Sequence, residues 1–336
     1  MGTQLSVEAA SDFIKSDKAN NTFDLSPPKG KLSWSEVGSL GGIPCLLFQP
    51  LGASRYVTKL FGNIAESCGL RLIAIDYPGD GLSTPQQGRT LEHWCEDMKE
   101  FIEMERLGDE IVVMGGSAGG LHALALAAAE PTLVKACVVL APWVPPSHPT
   151  SAWFAKLGGW APGCILRPIT FTVPKFTSMM MKKLTPKKLH KAYKLDERLT
   201  VSDGEVQLLQ AVEVEAHRQG GAGFHETFCL CCEKNGPLSP MIMTQAVMCP
   251  TLFFCGTKDT MVRPKACRKW AESIGAEFRG VEGFNHLTIQ LKVPEALRWL
   301  AQARQRHANS APEPLSPIRV DLGQVAPAQQ SIGNTV

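Results

Sequence analysis

The sequence predicts an α/β protein with a mostly parallel central sheet and a helical segment inserted late in that sheet. Three observations carry the prediction. Short, near-continuous apolar runs alternate with longer helix-like segments, as strands buried on both faces alternate with crossover helices. The alternation lapses between about residues 146 and 247 and resumes at 250. Of the 336 residues, 44% are hydrophobic and 20% charged, which supplies the core such a sheet needs.

Taken in order, residues 1–29 are polar and mixed and end in Ser26-Pro-Pro-Lys-Gly30, so an irregular leader is expected. Residues 31–37 alternate with period two and read as an antiparallel edge strand. Apolar runs at 43–48, 71–76, 111–114, 135–141 and 250–255 read as buried parallel strands, with helical patterns at 55–68, 90–107, 118–129 and 262–274 between them. Ala276 to Glu282 alternates like a further strand, and Val293 to Gln305 is helix-like. The sheet core is therefore assigned to 30–145 and 248–306, and the inserted helical segment to 146–247. From His307 to Val336 the chain is polar and rich in proline, too poor in apolar residues to offset ordering, and a disordered tail is expected.

Charge excludes some partners. With 34 Lys+Arg against 32 Asp+Glu, the formal net charge is +2, too small for a general nucleic-acid binder. The opening residues carry no basic region followed by an apolar run, so no secretory signal is read there. The 11 cysteines are scattered, several of them in apolar runs (Cys45, Cys137, Cys255), as expected of buried thiols in a cytoplasmic chain. His225 with Cys229-Leu-Cys-Cys232 lacks the paired spacing of a zinc site, so no metal is expected.

The chemistry centres on Met114-Gly115-Gly116-Ser117-Ala118-Gly119-Gly120, which follows a predicted strand and opens an Ala/Leu-rich helix. This is the context of a nucleophile elbow, a turn so tight that Gly115 and Gly119 have no room for side chains while the serine hydroxyl is presented above the strand ends. The same pattern fits a glycine-rich turn with Ser117 as an ordinary helix cap, but the strand–turn–helix setting favours the nucleophile. A serine nucleophile needs a base, and the base an orienting acid. Gly256-Thr257-Lys258-Asp259 follows the strand at 250–255, and Gly283-Phe284-Asn285-His286 follows the next. The order acid then histidine, each after a strand, points to Ser117, Asp259 and His286 as one catalytic set. The competing readings are a turn-forming aspartate and a surface loop histidine.

On these motifs, and on Asp76-Tyr-Pro-Gly-Asp-Gly-Leu-Ser83, residues 31–305 resemble the α/β-hydrolase superfamily, in its cap-bearing esterase and proline-iminopeptidase-like branch. The resemblance implies a central sheet of the α/β-hydrolase type with an inserted helical cap, a Ser-His-Asp triad and no cofactor. It also implies an oxyanion hole from the backbone N–H groups of Ala118 and Leu51. One departure stands out: where the family has His-Gly after the first core strand, this chain has Gln49-Pro50, followed by Leu51-Gly52-Ala53-Ser54-Arg55.

The expected function is hydrolysis of a carboxylic ester or thioester of a moderately apolar small molecule. Trp153, Phe154, Leu157, Trp160, Ile165, Leu166, Ile169, Phe171, Phe176 and Met179–Met181 suggest an apolar pocket wall in the cap, or else packing within it. An aminopeptidase would use the same triad with a cap carboxylate for the substrate's amine, and Glu205, Glu213, Glu215 and Glu226 are the candidates. An acyl-transfer or cyclisation enzyme and an inactive binding protein on the same fold remain open. Membrane association is a lesser reading. Met1-Gly2-Thr-Gln-Leu-Ser6 fits a loose myristoylation pattern, and the lysine run from Lys182 to Lys194 would be a second signal.

Overall fold

Eight strands form one sheet in the order β1-β2-β4-β3-β5-β6-β7-β8 in a computed structural model that describes residues 5–148, 151, 153–193, 201–234 and 247–310. The strands are β1 (Asn21–Asp24), β2 (Lys31–Gly38), β3 (Ile43–Phe48), β4 (Leu70–Ile75), β5 (Ile111–Gly116), β6 (Val134–Leu140), β7 (Thr251–Gly256) and β8 (Glu277–Val281). Strands β3 to β8 pair in parallel, and β1 and β2 pair antiparallel at one side. The central strands are buried along their whole length, which is why they read as unbroken apolar runs. The expected α/β class and parallel sheet are found.

Helices α2 (Gly62–Ser67), α3 (Leu91–Met104) and α4 (Ala118–Ala129) cross between strands, with α10 (Pro264–Ser273) and α11 (Val293–Ser310) after the cap. Helix α4 is apolar on every face and lies in the core, packed on β5 and β6. The helical pattern at 55–68 resolves into a 3₁₀ stretch, Arg55–Phe61, followed by α2. Between β6 and β7 stand only helices among the described residues: α5 (Trp153–Trp160), α6 (Gly163–Met181), α7 (Pro186–Tyr193), α8 (Asp203–Ala216) and α9 (Ala222–Cys231).

Three expectations are corrected. Residues 7–15 are not irregular. They form α1, capped by the Ser6 hydroxyl, with Ala10 and Phe13 packed against Tyr56, Leu208 and Val212. The spacing of Ala10, Phe13 and Ile14 was the signal, too short to stand out without its partner α8. Strand β2 is not the edge, because β1, drawn from the leader, pairs outside it. Helix α11 continues past His307 to Ser310. Residues 311–336, which hold most of the expected tail, lie outside the described residues, as do Gly2 and Lys194.

A buried ion pair locks these parts together. The Arg55 guanidinium and the Asp76 carboxylate are 2.5 Å apart and both wholly inaccessible to solvent. Arg55 also donates to the Ala19 carbonyl (2.6 Å) and to Asn20 Oδ1 (2.7 Å) of the leader, and pairs with Glu215 of α8 at 2.9 Å. Asp76 accepts from the Arg55 N–H (2.5 Å) and the Ser33 hydroxyl of β2 (2.8 Å). The cap is tied to the loop after β4 a second time. Gln219 donates to the carbonyls of Gly81 and Ser83, and Arg89 to the Thr227 hydroxyl. Replacing Arg55 by Met leaves the Asp76 charge buried without this countercharge. Urea unfolding of that variant should show a loss of about 3–5 kcal/mol, and a loss near zero would mean the pair holds nothing together.

Candidate active site

Ser117 is the single residue between β5 and α4, with φ 50° and ψ −116°. A positive φ in a non-glycine residue is strained by about 1–3 kcal/mol and persists only where its surroundings impose it. Here the imposition is visible. The Ser117 N–H donates to the Leu140 carbonyl of β6 at 2.9 Å, and its own carbonyl accepts from Gly120 (3.0 Å) and Trp143 (2.9 Å). The flanking glycines are required by contact: a Cβ on Gly115 would strike the Gly119 backbone, and one on Gly119 would strike the Phe48 carbonyl at the end of β3.

The residues expected to act together meet at the carboxyl ends of the parallel strands, where such sheets open a crevice. His286 Nε2 lies 3.0 Å from Ser117 Oγ, and His286 Nδ1 lies 2.9 Å from Asp259 Oδ2. The Asp259 side chain has no solvent exposure and that of His286 has 12%. The other carboxylate oxygen, Asp259 Oδ1, accepts the N–H groups of Met261 (2.9 Å) and Val262 (2.8 Å), so the carboxylate is fixed in one orientation.

The histidine loop is fixed by Asn285, which sequence reasoning did not single out. Its side-chain oxygen accepts from the N–H groups of Leu287 and Thr288, both at 2.9 Å, while its own N–H donates to the Thr288 hydroxyl at 2.8 Å. The Asn–x–x–Thr spacing around His286 was a legible turn signal. The acid and histidine loops are also joined directly, Lys258 N–H to the Phe284 carbonyl at 2.8 Å.

The Gln49-Pro50 departure has a structural account. Gln49 is buried and donates through Nε2 to the Ile75 carbonyl at 2.9 Å, while its backbone carbonyl accepts the Tyr77 hydroxyl at 2.9 Å. The loop after β3 is thus pinned to the neighbouring β4 loop. It turns tightly, with Ala53 N–H on the Pro50 carbonyl (3.1 Å) and Gly52 at φ 84°, the pattern of a type II turn with Leu51 in its second position. Leu51 and Ala118 sit on neighbouring strand ends, since β3 and β5 pair directly.

The cap carries less of a pocket wall than the sequence suggested. Leu157, Trp160, Ile165, Ile169, Phe176, Met179 and Met180 are exposed, Leu166 is buried, and the side chains of Trp153 and Phe154 lie outside what is described. A groove of about 600 Å³ on the cap is lined by Arg167, Phe171 and His225 among others, and Ser117 is not part of its lining. His225 and Cys229 approach each other, yet no three His, Cys, Asp or Glu among the described residues could hold a metal.

Beneath the elbow, His122 of α4 is wholly buried against Tyr77 and Trp94, with Nδ1 2.9 Å from the Ala118 carbonyl. That carbonyl accepts, so Nδ1 carries the proton. Burial, reinforced by the Arg89 charge, lowers the His122 pKa from 6.5 to about 3.

A family model described as alpha/beta hydrolase fold matches residues 46–291. No curated protein matches the chain. Among solved structures, an esterase from Thermogutta terrifontis has a TM-score of 0.61 at 19% identity, covering 85% of this chain and 99% of the esterase. One of the carboxylesterases from Nitrososphaera gargenis has a TM-score of 0.58 at 17% identity, covering 86% and 99%. An epoxide hydrolase from Vigna radiata has a TM-score of 0.61 at 17% identity, covering 87% and 99%. At such identities the likeness is one of fold.

The His122 site generates a pH prediction. The unfolded chain binds a proton here below about pH 6.5, while the folded protein does not until about pH 3. His122 therefore withdraws stability as pH falls through that window, by about 1.4 kcal/mol per pH unit. His122→Phe should flatten the acid side of the stability profile relative to the unmodified protein, measured by denaturant unfolding between pH 4 and 7. Parallel profiles would contradict the buried, neutral imidazole.

Proposed function

Because the chain belongs to the alpha/beta hydrolase fold family, we propose that it is a serine hydrolase that cleaves carboxylic esters or thioesters of moderately apolar small molecules. The observation that carries this reading is the continuous hydrogen-bonded chain from Ser117 Oγ through His286 to the buried Asp259 carboxylate.

In this reading Ser117 Oγ attacks the substrate carbonyl carbon as its proton passes to His286 Nε2. Asp259 Oδ2 accepts from Nδ1–H, selecting the tautomer whose Nε2 is free to take a proton and stabilising the imidazolium that forms. The N–H groups of Ala118 and Leu51 receive the developing oxyanion. The intermediate collapses, His286 Nε2 protonates the leaving alkoxide or thiolate, and water activated by the same imidazole releases the acid from Ser117.

An ester is favoured over an amino-terminal peptide by what the cap carboxylates already do. Glu205 closes the capping box of α8 with Ser202. Glu213 lies 3.3 Å from His217, Glu215 pairs with Arg55 and Arg218, and Glu226 accepts from the Gly88 N–H. Each of the four is engaged elsewhere, whereas a neutral ester needs no charged partner. Phe224 and His217 of the cap lie against Gly52 of the Leu51 turn, a setting for a mixed apolar substrate.

A fluorophosphonate probe should label the folded protein, with labelling abolished in Ser117→Ala and cut at least about a hundredfold in His286→Ala. Absence of labelling in the unmodified protein would sink the proposal. Proline suits the second position of a type II turn, so Leu51→Pro removes one N–H with the turn retained. It should lower kcat on a short-chain aryl ester by about 10²–10³-fold with KM little changed. An unaltered kcat would exclude the Leu51 N–H from the oxyanion hole.

A further inference from the structure

The outer face of the cap combines two features that hydrolysis does not require. The first is charge segregation. From Ser151 to Tyr193 the sequence contains no Asp or Glu, but seven lysines and Arg167. All eight cations are exposed, in a chain whose overall net charge is only +2.

The second is an apolar stripe in water. Ile165, Ile169, Val173, Phe176 and Met180 of α6 are between 37% and 58% exposed, and Trp160, at the end of α5, is 79% exposed. The five α6 residues follow one another at intervals of four, four, three and four, which gathers them within an arc of about 80° at 100° per residue. The buried positions Leu166, Thr170 and Pro174 occupy the adjoining arc, which packs on α8 and α9. Lys175 and Lys182 lie about 80–100° from Ile165 on the other side. Helix α6 thus has three sectors: one against the cap, one apolar and exposed, one cationic. Isolated exposed apolar residues are ordinary, but an aligned row with a neighbouring tryptophan marks an interaction surface.

We propose that this face of α5–α7 docks on an anionic lipid bilayer, with α6 lying in the interface plane. An apolar face bearing Trp and Phe beside lysines, on a helix too polar to insert fully, is the profile of an interfacial helix. No helix among the described residues is long and apolar enough to cross a membrane. The uniform positive charge selects the occupant. A second copy would set one all-cationic face against another, whereas anionic headgroups attract every lysine at once. The inference does not rest on the catalytic reading, and its test needs no hydrolysis.

The full chain is mixed with vesicles of phosphatidylcholine alone or doped with phosphatidylserine, and binding is read by co-flotation. Binding to the doped vesicles should be at least about tenfold stronger and should weaken as salt is raised. Lys182→Glu/Lys183→Glu/Lys187→Glu/Lys188→Glu should reduce it about a hundredfold or more. Ile169→Glu/Phe176→Glu should abolish it, with circular dichroism and urea midpoints unchanged because all six positions are exposed. As a conservative check, vesicles should blue-shift the tryptophan emission, and Trp160→Phe should remove most of that shift. Absence of vesicle binding would overturn the proposal. So would binding that survives both multiple variants, or a vesicle-free dimer that Ile169→Glu/Phe176→Glu dissociates.

Discussion

The Arg55–Asp76 pair is the constraint around which the rest of the molecule is arranged. Two opposite charges with no solvent exposure are tolerable only if their remaining donors and acceptors are also satisfied. The guanidinium therefore recruits a leader carbonyl, a leader amide and a cap glutamate, and the carboxylate recruits a backbone N–H and a β2 hydroxyl. Leader, sheet and cap converge because that one pair demands ligands from each. The pair also reaches the loops around the candidate site. Arg55 closes the loop that carries Leu51, and Asp76 opens the loop on which the cap is seated.

A second constraint is local strain. Ser117 holds an unfavourable backbone conformation because the β5–α4 turn is clamped by β6 and by the segment that follows it. The Gly119 backbone fills the space that a side chain at Gly115 would need, and the end of β3 fills the space that one at Gly119 would need. The histidine and acid arrive from different strands, yet their loops are joined by the Lys258 N–H to Phe284 carbonyl bond, and Asn285 braces the histidine loop from within. The geometry at the serine thus rests largely on backbone hydrogen bonds.

The cap divides its labours by face. Its inner helices α8 and α9 carry the glutamates and arginine-binding groups that tie it to the core, so their charges are spent on structure. Its outer helices carry cations only. A chain-wide charge near zero conceals this division, since the acids that balance the cap lysines lie elsewhere in the chain.

The sequence by itself determined the α/β class, the order of the parallel strands' apolar runs, and Ser117, Asp259 and His286 as residues that the fold brings together. These follow from local signals: unbroken apolar runs for buried strands, a glycine-flanked serine for a tight turn, and an acid and a histidine each placed after a strand. Tertiary structure alone decided what depends on a distant partner. Helix α1 forms because Phe13 meets Val212, and β2 loses the edge because β1 reaches it. Gln49 pins the loop after β3 because the Ile75 carbonyl lies within its reach. The α6 row shows the same limit. Its spacing was on the page, but whether Ile169 and Phe176 faced the pocket or the water depended on which side of the helix met α8 and α9, and periodicity fixes the width of an apolar face without saying what covers it.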